Sequence, residues 1–182
     1  MFRDNRALAW LVATISAVAI LVGACSQPAR PDRISAEVIS APVSSGPPKI
    51  ATISLTVYGD VSGFASHYYP LPREDYDAAL RNSIAKSELF AATETPENAD
   101  FDVNVGLISL VAPKWSGTVT LETSWSVGLP NGGNEIARQM IRAEARSPFS
   151  KTREATEEAA KKSIDSGLAW LHKTLAPMEK DD

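Results

Sequence analysis

The residues best equipped for chemistry in this 182-residue sequence are few: one cysteine, Cys25, and two histidines, His67 and His172. A hydrolytic triad needs a base held against a serine or cysteine nucleophile, and no Gly-x-Ser-x-Gly elbow occurs to present one. Asp60, His67, Asp75 and Asp77 are near enough in sequence to suggest a metal or acid/base cluster, but their spacing follows no ligand pattern. A polar loop entering a helix, whose amino-terminal dipole favours acids, accounts for them better. No phosphate-cradling Gly-x-Gly-x-x-Gly is present, and Gly132 and Gly133 stand where a hairpin needs glycine. Glu154, Glu157, Glu158, Lys161 and Lys162 read as a solvated helical face with near-neighbour ion pairs. The segment Val61–Pro72 is more informative, because Phe64, His67, Tyr68 and Tyr69 cluster there among glycine and proline. Aromatic rings anchor partners at low entropic cost, although the same rings could cap the end of a sheet. Trp115, in a turn, has the same two readings. The expectation is a chain without catalytic residues or a metal, and with partner contacts at Phe64, His67, Tyr68, Tyr69 and Trp115.

The leader decides where these groups work. Arg3 and Arg6 precede 18 uncharged residues, Ala7 to Ala24, rich in Leu, Val and Ile. A basic start followed by an apolar run is a secretory signal, and a run of that length also reaches the lower limit for an uncleaved membrane anchor. The next residues discriminate: Leu21-Val22-Gly23-Ala24-Cys25 resembles the lipobox of bacterial lipoproteins, aliphatic positions followed by two small residues and a cysteine. The resemblance implies cleavage before Cys25, with diacylglycerol on its thiol and an N-acyl chain on its amine, and no other cofactor. Ser26, rather than an aspartate, is similar to an outer-membrane sorting signal, with the domain facing the periplasm. Two or more acyl chains make such attachment stable where one is marginal. Cleavage removes two of 18 basic and one of 22 acidic residues, which leaves a net charge near −5 and no basic footprint for nucleic acid. With one cysteine, no internal disulfide can form.

Elements follow from periodicity. Residues 25–49, with Pro28, Pro31, Pro42, Pro47 and Pro48, read as a flexible tether, in which Ile34, Val38 and Ile39 could dock as a short strand. Ile53, Leu55 and Val57 alternate with hydroxylated residues in a first strand over 50–58. Tyr76, Leu80 and Ile84 mark a helix over 75–90. Phe101 to Leu107 and Val119 to Leu129 alternate as two further strands, and Trp125 falls at core-facing spacing. Pro130 to Asn134 turns the chain as a hairpin, so 135–146 is expected as its antiparallel partner, although its composition also suits a short helix. Ala160, Ile164, Leu168, Leu171 and Leu175 stripe a final helix that begins near Ser150 or Thr152. The expected fold is α+β in the order β-α-β-β-β-α, an antiparallel-rich sheet of about four strands with two helices on one face. It occupies 50–176, after the signal peptide 1–24 and tether and before a tail, 177–182. This order resembles envelope lipoproteins similar to the TolB amino-terminal domain, transport-auxiliary lipoproteins among them. That likeness rests on the first strand, the helix ending Glu88-Leu89-Phe90 and the strand holding Trp125.

The expected function is therefore a lipid-anchored, non-enzymatic accessory or scaffold in envelope transport or assembly. It would contact membrane lipid through Cys25 and other envelope proteins through its sheet edge and aromatic loop. A lipid- or glycan-binding lipoprotein is the alternative, and an enzyme of unfamiliar type the third reading.

Overall fold

The computed structural model describes residues 34, 50–61, 70–93, 96–113, 116–148 and 151–177. The elements are β1 (Ala51–Tyr58), α1 (Arg73–Ser87), β2 (Phe90–Thr93), a 3-10 turn (Pro96–Asn98), β3 (Phe101–Val111), β4 (Gly117–Gly128), β5 (Glu135–Ser147) and α2 (Thr152–Leu175). The α+β class stands, with two corrections. The sheet has five strands rather than about four, in the order β2-β1-β3-β4-β5. It is also mixed: β1 runs parallel to both β2 and β3, while β3, β4 and β5 form an antiparallel meander.

The fifth strand comes from residues expected at the end of the first helix. That helix stops at Ser87, where Glu88 takes a left-handed φ of 56° and turns the chain out of the helical path. Ser87 Oγ donates to the Ile84 carbonyl at 2.8 Å, satisfying one of the free carbonyls of the last turn. Leu89 and Phe90 are then extended, and the Ile50 N–H donates to the Leu89 carbonyl at 2.8 Å, so Phe90 pairs with Ala51 across a parallel ladder. Residues 135–147 form a strand, since the hairpin supplies an antiparallel partner along its whole length and this outweighs helical composition.

Both helices lie on one face of the sheet. The pleat turns Ile53, Leu55, Val103, Val105, Leu121, Trp125 and Val127 towards them, and all are buried. From α1 come Tyr76, Ala79, Leu80 and Ile84, and from α2 the expected stripe from Ala160 to Leu175. A buried chain of hydrogen bonds fixes how three elements meet. Trp125 Nε1 donates to Thr123 Oγ1 at 3.1 Å, Thr123 Oγ1 and Ser163 Oγ lie 2.9 Å apart, and Ser163 Oγ lies 3.0 Å from the Tyr76 hydroxyl. Each of these side chains has a hydrogen-bond partner within the chain, so polar groups are buried at β4, α1 and α2 without an orphan among them. Glu157, expected on the solvated face of the last helix, is instead buried beside Arg153 at 3.2 Å, the partner that makes burial of a carboxylate tolerable. Ile34 is helical, not part of a docked strand, and sits wholly buried in the same core; Val38 and Ile39 lie outside the described residues. No helix among the described residues is long and apolar enough to cross a membrane.

Candidate functional site

Cys25, Phe64, His67, Tyr68, Tyr69 and Trp115 all lie outside the described residues. The acids grouped with His67 are dispersed. Asp77 pairs with Arg81 at 3.0 Å, and the same guanidinium reaches the Leu55 carbonyl at 3.1 Å. Asp75 opens α1, its carboxyl raised above the usual range by partial burial and then by the charge of Glu74. Asp60 lines a separate cleft with Arg73 and Glu74 at the end of β1. Among the described residues no group of His, Cys, Asp and Glu is arranged to hold a metal. His172 is exposed in the last turn of α2, where a basic group suits the helix dipole.

The strongest feature lies on the sheet face opposite the helices, which the sequence reading passed over. Strand order and register arrange the outward side chains in rows across the strands. Tyr58 stands beside Gly106, Ser124 and Met140, and Thr56 beside Asn104, Ser126 and Arg138. Gly106 is required at its position: a Cβ there would lie 2.8 Å from Tyr58 Cζ, so the ring packs over bare backbone. One side of the ring is thus supported while the residue stays 44% exposed. Met140 is 53% exposed further along the same row, and Ile108, extruded at a bulge in β3, is 50% exposed.

At the end of this face is a cleft of about 360 Å³. Its polar groups are Asp102, Asn104, Ser126, Glu135 and Arg138, with Tyr58 at one side and the β4–β5 hairpin at the other. The hairpin forms where expected, with Asn131 and Gly132 at φ of 60° and 72° and the Leu129 N–H donating to the Asn134 carbonyl at 3.1 Å. It is tied back to β3 because the Gly132 N–H donates to Asp102 Oδ2 at 3.3 Å. Asp102 Oδ1 is buried and accepts no hydrogen bond among the described residues. Arg138 Nε donates to Glu135 Oε2 at 3.1 Å; that bond and the adjacent negative charge raise the guanidinium above its usual value and fix its direction. The arrangement offers donors, acceptors and an aromatic surface together, and among the described residues it contains no serine or cysteine nucleophile beside a histidine base.

The sheet edge expected to recruit partners is partly blocked. On β5 the Met140 carbonyl accepts from Gln139 Nε2 at 2.9 Å and the Glu144 carbonyl from Lys162 Nζ at 3.1 Å. Three arginines on that strand, Arg138, Arg142 and Arg146, add charge of the kind that discourages edge pairing. The open face, not this edge, is the better-built surface.

No protein-family model matches the sequence, and no curated protein matches it significantly. Solved structures do. A Xanthomonas campestris protein of family DUF330 superposes with a TM-score of 0.62 at 10% identity, covering 85% of this chain and 99% of that one. A hypothetical protein from Chlamydia trachomatis gives 0.50 at 7% identity over 69% of this chain and 98% of that one. Lipoprotein B from Nitrosomonas europaea reaches 0.42 at 14% identity over 71% and 84% of the two chains, too weak a likeness to say anything of this one. The chain shares its fold with the Xanthomonas protein across nearly the whole of that structure.

Proposed function

We propose that this chain is a lipid-anchored, non-enzymatic lipoprotein of the bacterial cell envelope. It is held by acyl chains on Cys25 in the outer membrane and works as an accessory that presents its open sheet face to other envelope components. The observation that carries this is the run Leu21-Val22-Gly23-Ala24-Cys25 directly after an uncharged apolar stretch, ahead of a domain with its own core. The open face supports the binding role: Tyr58, Ile108 and Met140 are large apolar groups left exposed there, amid polar neighbours.

The test is intact-mass analysis of membrane-extracted protein beside a Cys25→Ser variant. The expected result is a chain lacking residues 1–24 with added acyl mass, and a variant that is unacylated and released from the outer-membrane fraction. An unprocessed, unmodified wild-type chain would overturn the reading. Photo-crosslinking from position 140 in the intact envelope then tests the face, and products absent from a crosslinker at exposed position 173 on α2 are expected.

A further inference from the structure

We infer that the cleft beside Tyr58 binds a neutral saccharide; this rests on reading the open face as the binding surface and names what that face takes. A pyranose ring has a C–H face that packs on an aromatic ring and a rim of hydroxyls that each donate and accept. It therefore needs a supported aromatic face bordered by mixed donors and acceptors. Tyr58 supplies the first, because Gly106 lets its ring lie against the sheet and leaves the residue 44% exposed. Asp102, Glu135 and the Ser126 hydroxyl supply acceptors, and the Asn104 amide and Arg138 supply donors, from three different strands. Arg138 is already oriented by Glu135, so it loses little freedom on binding. Nothing lies within 4 Å of where a Cβ would stand on Gly132, which leaves the hairpin side open to an incoming ring.

Competing ligand classes fit less well. A phosphate or free carboxylate would meet Asp102 and Glu135 as like charges, and the single positive charge of Arg138 is already balanced by Glu135. An acyl chain needs an enclosed apolar tunnel, and this cleft is bordered by carboxylate, amide, hydroxyl and guanidinium groups. At about 360 Å³ the cleft lies at the small end of ligand sites, the scale of a short glycan segment.

The experiment is saturation-transfer NMR on the full-length protein in a zwitterionic detergent without sugar headgroups, using cellobiose and diacetylchitobiose as probes. Saturation is expected on the C–H protons of one ring face of at least one disaccharide. Tyr58→Ala should weaken that binding about tenfold or more, Tyr58→Phe should keep it within about threefold, and Asp102→Asn should weaken it without abolishing the stacking signal. Near-UV circular dichroism from Trp125, on the opposite face, checks that each variant is folded. No transfer from either probe, or equal binding by Tyr58→Ala, would overturn the inference. If Tyr58→Ala removes crosslinked envelope proteins but leaves disaccharide signals unchanged, the saccharide site falls while the open-face reading stands.

Discussion

Gly167 of α2 approaches Trp125 so closely that a Cβ there would overlap the indole, so the smallest possible substitution is expected to be costly. Gly167→Ala should destabilise the domain by about 1–3 kcal/mol, seen as a lower urea midpoint at unchanged slope, although alanine is the better helix former. Tyr76 makes a different prediction. Its phenol is held well above the usual value, chiefly by burial, with the hydrogen bonds to Ser163 and Thr123 opposing. The unfolded chain ionises this tyrosine near pH 10 while the folded one does not, so stability is retained below that pH and lost as pH rises past it. Urea unfolding at pH 8 to 11 should show this alkaline loss diminished in Tyr76→Phe, which itself costs about 1 kcal/mol at neutral pH for the lost hydrogen bond. The residues of the candidate cleft gave little warning in sequence. Tyr58, Asn104 and Arg138 are ordinary outward positions of alternating strands, and only Gly106 within an apolar strand hinted that something packs against it.

At the scale of elements, the end of α1 decides whether β2 can form. Glu88 occupies a left-handed position that glycine adopts without cost, so Glu88→Gly is expected to raise stability by about 0.5–1 kcal/mol, measured as an increase in Tm. The expected helix ran to Phe90 because that residue falls beside its apolar stripe; the chain turned because a strand beside β1 buries Phe90 equally well and also satisfies its backbone. Ile34 shows the same lesson in a segment read as tether. It is 0% exposed, and Ile34→Ala should cost about 2–4 kcal/mol in chemical denaturation, whereas a residue on a free leash would cost nothing measurable.

For the whole molecule, two helices on one side of a mixed sheet leave the other side without a helix among the described residues. The sequence alone determined what depends on neighbours along the chain. The alternation of β1, β3 and β4, the hairpin at Asn131 and Gly132, and the buried stripe of α2 are all local patterns, read from turn residues or at a period of two or 3.6. Tertiary structure decided what depends on order across the sheet. The parallel placement of β1 between β2 and β3 has no local signature, because a crossover through α1 leaves the pairing partner open. That placement sets Tyr58 against Gly106 and brings Asp102, Asn104, Ser126 and Arg138 to its side, a meeting perpendicular to the strands that periodicity along any one of them cannot encode.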